Sequence, residues 1–166
     1  MDQLLHKLIE ILRVEKQILY NLLQLSHTKT NLLLEANVDA INNIILQEHE
    51  LKFTLDTAEK KRERVVVDIA TALQEDASHI TISDIIEKTD LPLNQELKTV
   101  KNEMHDQLTE YKGINEINLA LIQSHLYFVD FMVNTISGRQ TQAIIYGSQG
   151  YTVADEKRNY FFDNKA

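Results

Sequence analysis

Apolar residues recur along this chain at alternating steps of three and four, the spacing of a helix that buries one stripe. The longest such seam runs from Val38 to Leu73 through Ile41, Ile44, Glu48, Leu51, Leu55, Ala58, Arg62, Val65, Ile69 and Ala72, with no Gly or Pro to interrupt it. At about 1.5 Å per residue this predicts one helix of roughly 50 Å. Its stripe is too narrow to be stable alone, so it needs partner helices.

The preceding segment supplies one. Leu5, Leu8, Leu12, Leu19 and Leu22 lie beside Leu4, Ile11, Ile18 and Leu25, two adjacent rows that touch two neighbours, with Glu15 interrupting both. The polar run from Ser26 to Asn31 weakens the stripe and Leu32 to Leu34 restores it, so this helix ends either near Ser26 or near Glu35. Asn37 and Asp39 then offer capping side chains for the second helix. Thr81-Ile-Ser-Asp84 has the form of a capping box and predicts a short corner helix over 82–88. Pro92 suits the first turn of a long third seam, Leu93, Leu97, Val100, Met104, Leu108 and Tyr111. Past Gly113 the row becomes Leu119, Ile122, Leu126, Val129, Val133 and Ile136, which predicts a bend or a stutter in one long helix. Gly138 stands where a left-handed terminating glycine belongs.

The expected fold is therefore all-α: an elongated antiparallel helical bundle or coiled coil of three long helices (about 2–34, 38–73 and 92–137) with the corner helix. Residues 1–137 form the bundle and 138–166 a flexible or partner-ordered tail. Three of the four glycines fall in that tail, together with Tyr146, Tyr151, Tyr160, Phe161 and Phe162. Such a composition cannot bury enough to offset its own ordering, yet is too aromatic for an inert linker.

The charge balance removes several function classes. A net charge of −8 argues against a nucleic-acid binder, which needs a clustered positive field. Lys60, Lys61, Arg62 and Arg64 are interleaved with Asp56, Glu59 and Glu63, as on a solvated face with helical ion pairs. With no cysteine there is no disulfide framework, thiolate metal site or cysteine nucleophile. None of the six histidines follows a Glu by three positions, so the di-iron motif of carboxylate bundles is missing. No catalytic, cofactor or metal residues are assigned, and an enzyme is not expected. Asp2, His6, Lys7 and Glu10 break any leader-like run and no 18 consecutive apolar residues occur, so a soluble cytoplasmic protein without stable membrane insertion is expected.

Glu15, Glu48 and Arg62, set within apolar seams, read either as buried acid–base groups or as ion pairs that fix helix register; the second reading is favoured because no nucleophile accompanies them. Tyr127, Phe128 and Phe131 read as core or, if exposed, as part of a binding patch.

The order of motifs resembles the FlgN-type flagellar export chaperones: Leu4-Leu5-x-x-Leu8-Ile9-x-x-Leu12, Glu15, Tyr20-x-x-Leu23-x-Leu25-x-x-x-Lys29, then Ile45-x-x-Glu48-x-x-Leu51-x-x-x-Leu55-x-x-x-Glu59-x-x-Arg62. The corner helix, the long helix after it, and a tail with Tyr146 to Gly150 and Phe162-Asp163-x-Lys165 are similar in layout. The resemblance implies a non-enzymatic cytoplasmic chaperone. It would bind hook-associated (hook-filament junction) proteins, prevent their premature assembly and deliver them to the type III flagellar export apparatus. The family's cargo region maps to the tail. There Ile144, Ile145, Tyr146, Tyr151, Val153, Phe161 and Phe162 are the expected contacts, with Phe128 and Phe131 lining an adjoining groove. The alternative is a generic coiled-coil homodimer or adaptor without cargo, whose seams are satisfied by self-association. Separately, the chain is expected either as a monomer or as a homodimer by helix exchange at Gly113 or at the 74–92 corner.

Overall fold

The computed structural model describes residues 1–137. They form α1 (Asp2–Leu34), α2 (Val38–Leu73), α3 (Ile82–Glu87) and α4 (Leu93–Ile136), with no strand among the described residues. The long first segment does not stop at Ser26. Ser26 is buried rather than solvated, and α1 continues through it to Leu34.

Met1–Leu121 make one compact unit, and among the described residues 122–137 belong to a second. In the first unit the direction of each helix follows from its paired residues. Glu15 meets Arg62 and Lys29 meets Glu48, so positions rise on α1 as they fall on α2, and the two run antiparallel. Arg13 meets Glu96, Lys16 meets Glu103 and Thr30 meets Asn118, so α4 runs parallel to α1. The densest core is where α1 begins, α2 ends and α4 begins: Leu8, Leu12, Val65, Ile69, Ile85 and Leu97 are almost entirely removed from water. Burying each such side chain contributes about 1.5–3 kcal/mol.

The six residues of α3 are too few for a helix to hold by itself. The capping box supports its start: the Asp84 N–H donates to the Thr81 hydroxyl at 3.2 Å, and the Thr81 N–H donates back to the Asp84 carboxylate at 2.7 Å. The Thr81 hydroxyl also donates to that carboxylate, and these bonds hold the Asp84 carboxyl below its ordinary value. Ile85, fully buried, pins the helix into the core.

Both long turns close without glycine. After α1 the Ala36 N–H donates to the Leu33 carbonyl and the Asn37 N–H to that of Leu32, with Ala36 left-handed at φ 52°. After α2 the same pair of bonds joins Gln74 to Thr71 and Glu75 to Ala70, with Gln74 at φ 58°. This is the double hydrogen bond of a Schellman ending, in which a non-glycine residue occupies the strained position. Asn37 then caps α2, its side-chain oxygen accepting from the Ala40 N–H at 3.2 Å.

α4 is continuous through Gly113. Its buried and half-buried row is Leu97, Val100, Met104, Gln107, Tyr111, Ile114, Asn118 and Leu121, an unbroken heptad spacing across that glycine. The expected stutter is therefore absent from the inner face. The Leu119 to Ile136 row is a second stripe on a different face, which hydrophobicity favours because the true seam carries Gln107 and Asn118. Gly138 lies outside the described residues.

Candidate partner-binding surface

The interior polar groups come first, because they decide what chemistry the bundle can offer. Glu15 is 4% exposed, and its carboxylate accepts from the Arg62 guanidinium at 3.1 Å. Burial pushes the Glu15 pKa above the ordinary 4.5, against the opposing pull of Arg62. Arg62 also donates to Glu59 at 3.1 Å. One end along, the Lys29 ammonium donates to both oxygens of buried Glu48 at 2.6 and 2.9 Å. A third layer joins α1 to α4. The Asn118 amide donates to the Ser26 carbonyl at 3.0 Å, the Thr30 hydroxyl donates to Asn118 at 2.7 Å, and the Ser26 hydroxyl donates to Asn115 at 3.0 Å. Glu15 with Arg62, Glu48 with Lys29, and Asn118 with Ser26 and Thr30 are each engaged in a contact from one helix to another. The Ser26–Thr30–Asn115–Asn118 layer was not anticipated from sequence. The signal was two polar pairs, spaced four and three apart, falling at seam positions of facing helices.

The second unit shows the opposite character. Along α4 from Ile122 to Ile136 nine of the fifteen side chains are apolar or aromatic, Asp130 is the one acidic residue, and all but Asn134 are exposed. Tyr127 is 75% and Phe128 60% open to solvent, while Phe131 is 49% open. Leu126, Val129, Val133 and Ile136 are likewise exposed. Monomeric soluble proteins rarely leave so continuous an apolar surface uncovered, and such patches mark interaction sites. An 18-residue stretch of α4 is apolar enough to cross a membrane by length and composition alone, with a mean hydropathy of 1.2 and none of it buried; one such helix is weak evidence of a span. The expected contacts Ile144, Ile145, Tyr146, Tyr151, Val153, Phe161 and Phe162 lie outside the described residues. Phe128 and Phe131 are found on the exposed stretch, not in the core.

Residues 1–154 match the family model described as FlgN protein. The chain belongs to the FlgN family. Membership makes it a flagellar export chaperone by family. The FlgN match takes in all four helices and extends past Val153, so it includes the Tyr146 to Gly150 segment but not Phe161 or Phe162. Comparison with curated proteins and with solved structures finds no match.

Proposed function

We propose that this FlgN-family chain is a cytoplasmic, non-enzymatic chaperone of hook-associated junction proteins. It binds them before export, keeps them from assembling early and delivers them to the type III flagellar export apparatus. The observation that carries this reading is the exposed apolar stretch of α4 leading directly into the aromatic residues of 138–166. An assembly protein has amphipathic segments that stay unpaired until it polymerises, and an apolar helix face is the surface on which such a segment docks as an added helix. Ordering of the tail is spent at that moment, which lowers net affinity and favours release at the export gate. Tyr146, Tyr151, Phe161 and Phe162, with Phe128 and Phe131, are the proposed anchors, since aromatic side chains dominate binding surfaces.

The test is co-purification of the intact chain with junction proteins, compared with a chain lacking 138–166 and with a Phe128→Ser/Phe131→Ser variant. Loss of the complex with unchanged helical circular dichroism supports the reading. Retention of cargo by both variants sinks it, and a stable homodimer that hides Phe128 and Phe131 in place of cargo assigns the surface to self-association.

A further inference from the structure

A second surface lies wholly within the first unit, on the side of the α1–α2 hairpin where Ile11 and Val14 face Ala58. Two adjoining hollows of about 280 and 430 Å³ share Glu10, Ile11 and Lys61 and so form one shallow groove between the helices. Its floor is apolar, made by Ile11, Val14, Ala58 and Val65, with Val14 left 52% exposed. From Thr54 to Val65 the α2 wall spans roughly 16 Å, about three helical turns.

The rim is cationic. Lys7, Lys61 and Arg64 line it against the single carboxylate of Glu10. This inverts the sign of a chain whose net charge is −8. The interleaved acids that the sequence offers as partners do not neutralise it. Glu59 is engaged by Arg62, and among the described residues no carboxylate comes within ion-pair distance of Lys7, Lys61 or Arg64. Arg62, one position away, turns inward to Glu15, which leaves Lys61 and Arg64 on the groove side.

We infer that this groove is a docking site for an acidic amphipathic helix of a partner protein. The partner's apolar stripe lies on Ile11, Val14 and Ala58, and its Asp or Glu residues meet Lys7, Lys61 and Arg64. A peptide helix fits better than a nucleic acid, because a phosphate backbone has nothing to set on an apolar floor, whereas helix-in-groove binding uses side chains at steps of three and four on just such a strip. Charge of this kind governs partner choice and association rate more than raw affinity, so binding here is salt-sensitive. The site includes no residue of the 122–136 stretch and does not depend on the function proposed for it.

The probe is a fluorescein-labelled helical peptide of about five turns with Leu at heptad spacing and Glu on both flanks, alongside a twin carrying Lys in place of Glu. Titrated with the full-length chain, the acidic peptide is expected to bind, to weaken at least tenfold in high salt, and to weaken at least tenfold on Lys61→Glu/Arg64→Glu. That variant should instead take the Lys peptide. These positions are exposed, and circular dichroism checks that the fold is kept. Val14→Asp should weaken the acidic peptide without altering the preference of the double charge variant. Equal binding of both peptides, binding of neither, or displacement of the acidic peptide by a duplex oligonucleotide overturns the inference, as does a self-associated chain in which Val14 is already covered.

Discussion

Glu15 shows how one buried side chain writes itself into pH dependence. Because burial raises its pKa in the folded state, the folded chain holds that proton more readily than the unfolded chain does. Its contribution to stability is therefore greatest below about pH 4.5 and declines as pH rises through the raised folded value. Replacing it by an uncharged isostere removes that decline. Glu15→Gln should gain stability relative to the native chain as pH climbs through this window, measured as the shift in urea midpoint between the two proteins at each pH. The comparison is needed because Asp84 and Asp76, whose pKa values are lowered by hydrogen bonds, act with the opposite sign and are common to both proteins. Ala36 carries a different kind of cost. Its φ of 52° is a conformation that glycine adopts freely and alanine does not. Ala36→Gly should stabilise the chain by about 0.5–1 kcal/mol after the greater freedom of unfolded glycine is offset, read from the same denaturation.

The helices themselves were largely written in the spacing of apolar residues. α1 runs on through the polar run at Ser26 to Leu34, the later of the two ends the pattern allows, α2 begins at the Asn37 cap, and the box at Thr81 marks α3. The C-terminal ends of α1 and α2 carried no glycine signal, since Ala36 and Gln74 take the left-handed place by force of the surrounding bonds. α4 was half misread. Hydrophobicity ranks Leu119, Ile122 and Leu126 above Asn118, so the pattern alone places the apolar row on the seam. In fact Asn118 is 2% exposed while Leu119 is 55% exposed. A polar residue can hold an interior position when its hydrogen bonds are met, as those of Asn118 are by Ser26 and Thr30. An apolar row is left outside when nothing among the described residues covers it. The groove at Lys7, Lys61 and Arg64 was hidden for a related reason: linear interleaving of charges does not say which side of a helix each one occupies.

In the first unit α1, α2, α3 and the start of α4 share the apolar core, and past Val100 α4 also meets α1 through hydrogen bonds and an ion pair. The ion pairs between α1 and α4 have the same sense, with Arg13 and Lys16 on α1 and Glu96 and Glu103 on α4, while His27 and Glu110 are joined by a hydrogen bond at 3.3 Å. Partly exposed pairs such as these contribute about 0–1 kcal/mol each and are screened as the Debye length shrinks from about 10 Å at 0.1 M salt to about 3 Å at 1 M. Hydrogen exchange should therefore quicken in α4 between residues 101 and 118 at high salt while the amides around Val65 and Ile69 stay protected; uniform quickening would refute the distinction.

The charges inside the hairpin limit what a visiting helix can do. If α2 slid by one heptad so that Glu15 faced Leu55 instead of Arg62, Glu48 would face Leu22 instead of Lys29. Two carboxylates would then be stranded in oil without a cation, an arrangement costing several kcal/mol per ion. A guest with a greasy stripe can be added to the outside of this hairpin, but it cannot take the place of one of its two helices.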